Sequence, residues 1–374
     1  MTLEKIYHEY DLHKHHNLRI KKSTYVSNGL SGIVNLRNTC FMNSILQCLS
    51  NTLGLTDYIL STKYLEDLTI QNKQRPEQFL LISYINVLNS LWESNQLIKP
   101  KTFFENISKF HKKYFALRQQ DSHEFLLYTL DLLHNALSYE IEIEIKGTPK
   151  NKGDHLLKQS LETWQSFYEK SYSFIIETFN GCTITTIECE HCKKDETIFE
   201  PYNHISLNLS DATESLSTHL DTFFSSTERV ESFTCDHCKN KGCNKGTKIW
   251  NVPDYLIIQL KRFKNDNGYT SKNTSLVNYP LYDLDMSNYI SKDKQDRNNY
   301  IYDLYAVNYH SGGLDGGHYT SACKNLDNNW YNYNDASVAK YGGANLQQQI
   351  VSNDAYILFY VRKKMYKKLN GVTM

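Results

Sequence analysis

Residues 32–49 read GIVNLRNTCFMNSILQCL, and the rest of the chain is placed relative to them. The segment Asn35-Leu36-Arg37-Asn38-Thr39 is polar and turn-like. After it Phe41, Ile45 and Leu49 fall four apart, with Met42 and Leu46 beside them, which is the period of an amphipathic helix. Asn38 and Thr39 are residue types that cap helices, so the spacing puts Cys40 in the first turn. Free amide N–H groups and the positive end of the helix dipole lie there, and both favour a thiolate. Cys40 is therefore a candidate nucleophile. A small hydrophobe at the start of a core helix is the other reading of the same residues.

The chain has 374 residues, enough to bury one or two cores. Its 41 Lys and Arg balance 41 Asp and Glu, so no bulk charge draws it to nucleic acid. No long apolar run suggests a membrane span, and the N-terminal MTLEKIYHEYDLHKHHNLRIKK lacks the apolar core of a signal peptide. Nine cysteines, an odd number with four in two C-x-x-C pairs, do not form a secreted disulfide framework. The expected compartment is the cytoplasm, with the nucleus as a second place. Residues 1–28 read as a polar tail, and the cluster His8, His13, His15 and His16 as part of a loose terminus rather than a metal site. Residues 364–374 read as a second tail.

From about 29 to 140 the patterns are helical. Pro76 opens a helix with a broad stripe from Phe79 to Trp92, and a shorter helix is expected over 100–114. Asp121 is a candidate N-cap, with Glu124 placed to complete a capping box ahead of a helix reaching Leu137. Residues 141–158 are charged and poor in large side chains, and read as an exposed linker before a short helix at 161–168. The period then changes to two. Strands are expected at 174–179, 183–188, 204–209, 248–251, 255–260, 301–309, 319–323, 330–333 and 356–361, mostly antiparallel. Residues 264–272 and 291–298 read as loops, and the glycine-rich 311–317 as a mobile loop directly before His318. The class is α+β.

Two constellations carry chemistry. His318 stands between a Gly-Gly turn and a strand, and twelve residues on begins Trp330-Tyr331-Asn332-Tyr333-Asn334-Asp335. Thiol catalysis needs a thiol, an imidazole base and a third group that fixes the imidazole, and Asn334 or Asp335 can be that group. Separately, Cys189-x-x-Cys192 and Cys235-x-x-Cys238 are two hooks 42 residues apart. Four thiolates are the donor set of a structural Zn²⁺, and each hook is expected to close a turn at a sheet tip. Four thiolates leave no open position for catalysis by the metal. Cys243 is surplus to the set, and His191 and His237 are alternative ligands.

Taken together, residues 32–49, RQQDSHEF at 118–125, the two hooks, LIIQLKRF at 256–263, YDLYAVNYHSGGLDGGHYTSAC at 302–323, WYNYND at 330–335 and DAYILFY at 354–360 resemble the catalytic domain of the ubiquitin-specific proteases. These are papain-like cysteine deubiquitinases. The resemblance covers residues 29–363 and implies a thumb over about 29–140, a palm and fingers over about 171–363, and zinc-bearing fingers within about 173–251. It implies Cys40 as nucleophile, His318 as base, Asn334 as the third triad member with Asp335 beside it, and Asn35 as the oxyanion donor. It further implies that Asp121 receives arginines of the ubiquitin tail, that Cys189, Cys192, Cys235 and Cys238 hold one structural Zn²⁺, and that the partners are ubiquitin and ubiquitinated proteins. The implied reaction is hydrolysis of the peptide or isopeptide bond after the C-terminal glycine of ubiquitin. Two departures stand out. Arg37 occupies the glycine of the usual Asn-Leu-Gly-Asn-Thr-Cys, and must take negative φ or accept strain. His123 replaces the usual Gln. Two other readings stay open: action of the same fold on another ubiquitin-like modifier, which surfaces of the fingers and thumb would decide, or, because of Arg37, a weakly active or inactive ubiquitin-binding module.

Overall fold

The computed structural model describes residues 29–71, 75–111, 118–225, 227–266, 269–294, 300–313 and 316–363. The two tails, with the histidine cluster in the first, lie outside these residues. So do 112–114 of the expected shorter helix, 267–268 and 295–298 of the two expected loops, and 314–315 of the glycine-rich segment.

Helix α1 (Cys40–Ser50) is buried along all 11 of its residues. Its polar side chains are accordingly satisfied within the protein: Gln47 donates to the Ser31 carbonyl at 2.8 Å and Ser44 to the Phe41 carbonyl at 3.1 Å. Around it pack α2 (Leu53–Leu60), α3 (Tyr64–Gln71), α4 (Gln78–Glu93), α5 (Lys101–Phe110) and α6 (Ser122–Leu137). Phe41 meets Phe125 of α6 edge-on, with ring centroids 5.4 Å apart. Asp121 caps α6 by accepting the His123 amide at 2.7 Å.

Two expected elements take other forms. The last part of the linker expected at 141–158 is helical, because α7 runs from Lys152 to Tyr168 with Asn151 capping the Asp154 amide at 2.9 Å. Only Leu156, Ser160 and Tyr168 are buried, so the apolar stripe is too thin to announce a helix. The strand expected at 174–179 is helix α8 (Phe174–Phe179), capped by the Ser173 hydroxyl. Six mostly apolar residues carry too few turns for the period to be read.

The β half holds two large sheets. The smaller has the order β2–β1–β6–β5, all antiparallel, from β1 (Gly181–Cys189), β2 (Asp195–Tyr202), β5 (Glu228–Thr234) and β6 (Lys241–Asn251). Leu156 of α7 covers Ile184, Phe199 and Trp250 at its base. The larger follows the order β15–β14–β13–β12–β16–β7–β3. Its strands are β3 (Ile205–Asn208), β7 (Tyr255–Lys261), β12 (Ile301–Gly312), β13 (Gly317–Lys324), β14 (Trp330–Asn334), β15 (Ser337–Lys340) and β16 (Ala355–Arg362), with β11 (Leu284–Asp285) beside β12. The β3–β7 pair is parallel; the rest are antiparallel. Alternate residues serve opposite faces: Ile257, Tyr305 and Phe359 pack on the helical half, whereas Ile258, Val307 and Leu358 pack towards α9 (Leu216–Ser225). Both faces are buried, so β12 and β16 read as nearly continuous apolar runs.

The loop expected at 264–272 is a hairpin of β8 (Phe263–Asp266) and β9 (Tyr269–Lys272). The loop expected at 311–317 is shorter than read, because β12 and β13 pair as far as Gly312 with Gly317. A two-residue parallel pair, β4 (Glu214–Ser215) and β10 (Val277–Asn278), a 3-10 turn at Ser287–Tyr289 and helix α10 (Leu346–Ile350) complete the elements among the described residues. No helix among the described residues is long and apolar enough to cross a membrane.

Candidate active site

Helix α1 presents its N-terminus to β13, and Cys40 and His318 come from these two elements. Thr39 is the N-cap residue, but its hydroxyl does not cap the helix. It accepts from the Leu36 amide at 2.8 Å and contacts Asn35 Oδ1 at 3.3 Å, so it closes the preceding turn instead. The Cys40 side chain is buried, and burial pushes its thiol above the ordinary range. The backbone N–H of Tyr319 pulls the other way, Asp335 adds to the rise, and the amides of Phe41 and Cys40 itself oppose it. The thiolate favoured by the helix terminus is thus outweighed by desolvation. Tyr319 follows His318 directly, and the strand that carries both packs against helix α1.

His318 is part-exposed. Its Nε2 lies 2.7 Å from Asn334 Oδ1 and 4.0 Å from Asp335 Oδ2. Amide oxygen only accepts, so Nε2 carries the proton and Nδ1 is left as the base. Asp335 is occupied elsewhere. Its carboxylate accepts from Asn35 Nδ2 at 2.9 Å and Asn43 Nδ2 at 2.7 Å, and its carbonyl accepts from the Ile33 amide at 2.8 Å. One carboxylate therefore ties the loop before Cys40 and the helix after it to the end of β14. Asn35 also accepts the Thr39 amide at 3.1 Å, and one N–H of its carboxamide remains after the bond to Asp335.

Asp121 has both oxygens engaged, with the Tyr356 hydroxyl at 3.0 and 2.8 Å and the His123 amide on one of them. His123 is buried edge-on to His204, with centroids 4.7 Å apart. Burial, with His204 beside it, lowers its pKa to about 3, so the ring is neutral.

Arg37 takes the strained option, with φ of 68° on an exposed loop. An L-residue there costs about 1–2 kcal/mol, and glycine's extra freedom in the unfolded chain offsets about 0.4–1 of it. Arg37→Gly should therefore raise the melting temperature by about 1–2 °C, read by calorimetry. A fall would mean that the arginine side chain holds the loop.

A link absent from the sequence reading joins the halves beneath the site. Fully buried Asn308 of β12 accepts from Ser122 Oγ at 2.7 Å and donates to Ser44 Oγ at 2.8 Å, so α6 and α1 are pinned to one strand. An asparagine inside an otherwise apolar run was its signal.

The two hooks close the β1–β2 and β5–β6 turns. All four sulfurs lie within 4.8 Å of one another, with Cys189–Cys238 at 3.6 Å and Cys192–Cys235 at 3.7 Å. Tetrahedral Zn²⁺ with bonds of about 2.3 Å requires edges of about 3.8 Å, so the cluster fits the ion. The hooks repeat one geometry: Lys193 and Lys239 each follow a second cysteine at positive φ, 57° and 60°, and each donates its amide to the first cysteine's carbonyl.

The sequence profile of the family described as "Ubiquitin carboxyl-terminal hydrolase" matches residues 31–360. Ubiquitin carboxyl-terminal hydrolase 2 of Bos taurus is 36% identical over 343 residues, 89% of this chain and 55% of that protein. Ubiquitin carboxyl-terminal hydrolase Usp2 of Drosophila melanogaster is 33% identical over 344 residues, 90% of this chain and 35% of that protein. The chain spans about half the length, or less, of these curated relatives. Among solved structures, the SAGA Ubp8/Sgf11/Sus1/Sgf73 DUB module bound to ubiquitin aldehyde aligns with TM-score 0.70 at 25% identity, covering 90% of this chain and 70% of that one. A form of the same module with a substituted Ubp8, bound to monoubiquitin, aligns with TM-score 0.71 at 24% identity, covering 91% of this chain and 70% of that one. Because the matched span runs from the loop ahead of Cys40 to the final strand of the large sheet, the chain belongs to the ubiquitin carboxyl-terminal hydrolase family and carries a ubiquitin-specific protease domain.

Proposed function

We propose that the chain is a deubiquitinating thiol protease, cleaving the bond after the C-terminal glycine of ubiquitin with Cys40, His318 and Asn334 as its triad. The observation that carries this is the 2.7 Å contact of His318 with Asn334, on a strand that packs against the helix bearing Cys40. Because burial keeps Cys40 protonated at rest, the imidazole must take its proton as the sulfur attacks the glycine carbonyl. The oxyanion is received by the Cys40 amide and the remaining N–H of Asn35. Protonated His318 then gives its proton to the departing lysine amine. Water, deprotonated by the same ring, releases ubiquitin from the thioester. Asp335 acts through Asn35 and Asn43 by fixing the nucleophile's loop. Asp121, held as a cap and by Tyr356, offers its carboxylate to the arginines of the ubiquitin tail.

The four clustered cysteines would hold a structural Zn²⁺, which clamps the sheet tip and takes no part in the reaction. Nine unpaired cysteines, four of them needed as ligands, suit a reducing cytosol or nucleus.

The test is reaction with ubiquitin bearing a C-terminal electrophile, beside a SUMO-based probe. A covalent ubiquitin adduct is expected, absent in Cys40→Ala. A folded protein that forms no adduct, or forms one with the SUMO probe alone, refutes the reading.

A further inference from the structure

His318 sits on a strand with an incomplete edge. On one side β13 pairs with β12 from Gly317 to Cys323. On the other it pairs with β14 only from Ser321 to Lys324, so residues 317–320 have no strand along that edge among the described residues. A side chain fills the gap. Gln119, on the loop leading into α6, donates from Nε2 to the Gly317 carbonyl at 2.6 Å, and Gly317 N–H donates to Gln119 Oε1 at 2.9 Å. A carboxamide has the same donor and acceptor as a peptide unit, so this is one rung of a sheet built from a side chain. N–H groups two residues apart on a strand point the same way. The next one along this edge is that of Tyr319, whose N–H counters the rise that burial imposes on the Cys40 thiol.

The opposite side of Gly317 is equally constrained. A Cβ there would lie 2.1 Å from His310 Nε2 and 2.9 Å from the Ser311 carbonyl. His310 is buried between Phe263 and Tyr319, with centroids 5.2 and 4.6 Å away. Gly317 is thus held between an immobile ring and the Gln119 amide. His318 itself, 41% exposed, has Asn334 on one ring nitrogen and must draw the rest of its placement from the main chain.

We propose that Gln119 is a positioning residue for His318: its carboxamide supplies the missing rung at Gly317 and so fixes the imidazole relative to Cys40. This rests on the protease reading above. It assigns Gln119 to kcat rather than to ubiquitin binding, since a misplacement of about 1 Å in a reacting group slows turnover about 100-fold.

The experiment compares Gln119→Ala and Gln119→Glu in the full chain on a ubiquitin–fluorophore substrate, with amide hydrogen exchange read at Gly317 by NMR. Gln119→Ala should lower kcat by about 10- to 100-fold with KM within about twofold, and speed Gly317 exchange. Gln119→Glu has the same shape but loses the donor to the Gly317 carbonyl, so it should fall at least as far. Ubiquitin affinity measured in the Cys40→Ala background should not change. An unchanged kcat, a loss confined to KM, or a gain in turnover overturns the proposal, the gain by making Gln119 an occupant of the substrate's place. If the wild type does not turn over, the protease reading fails, and unaltered Gly317 exchange in Gln119→Ala would separately refute the rung.

Discussion

Gly317→Ala should lower kcat/KM about 100-fold, whereas Gly316→Ala, one residue earlier, should leave it within about twofold. The two positions differ in what their side chains would meet. At Gly316 nothing lies within 4 Å of a built Cβ; at Gly317 the His310 ring and a backbone carbonyl are both closer than 3 Å. His310 is buried between the Phe263 and Tyr319 rings, so the strain must move the strand. Overpacking of this kind costs about 1–3 kcal/mol of stability. It would lower the melting temperature by about 1–4 °C, at about 1.4 °C per kcal/mol for a domain of this size. The larger effect is on rate, since the displaced residue precedes His318. Steady-state kinetics and calorimetry on the pair check both parts, and equal behaviour of the two variants would show that His310 yields.

Loss of the Zn²⁺ that the four-cysteine cluster would hold, by chelation or by Cys235→Ser, should loosen the small sheet and weaken ubiquitin binding by at least about tenfold, or about 1.4 kcal/mol. None of the seven residues of β5 is buried, so that strand has its ladder to β6, the exposed Arg229–Glu190 ion pair and the cluster to hold it. The apolar packing of the sheet, at Ile184, Phe199 and Trp250, lies at the other end. Structural zinc sites supply stabilisation that such tips lack. Hydrogen exchange should therefore speed over residues 228–241 and stay slow over 301–312. The effect on turnover should appear mainly in KM. Protection retained throughout after the metal is removed would mean that the ladder alone suffices.

Much of this fold could be read from the chain because long buried elements repeat their period several times. The helices at Cys40–Ser50, Gln78–Glu93 and Ser122–Leu137 span three or more turns each. The paired hooks announce their geometry through spacing alone. The misreadings come from elements with a weak or short signal. Helix α7 buries three side chains, and α8 has fewer than two turns. The β8–β9 hairpin is mostly polar, yet its Asn267-Gly268 pair was a usable turn signal. The site divides the same way. Cys40 and His318 stand in distinctive local sequence. The division of labour between Asn334 and Asp335, and the bond from Gln119 to Gly317 across 198 positions, depend on chain closure that no local pattern encodes.

Strand β16 also governs when the site can exist. It is the last strand of the large sheet in chain order, yet it lies in the interior, between β12 and β7. A ribosome-bound chain that has exposed Cys40, His318 and Asn334 still has a gap where Ala355–Arg362 will enter. Tyr356, which holds Asp121, arrives with that strand. The helical half can collapse early on its local contacts, but the cleft closes only when synthesis of the domain is essentially finished. On the protease reading proposed above, a chain stopped before Ala355 would lack the strand that completes its cleft.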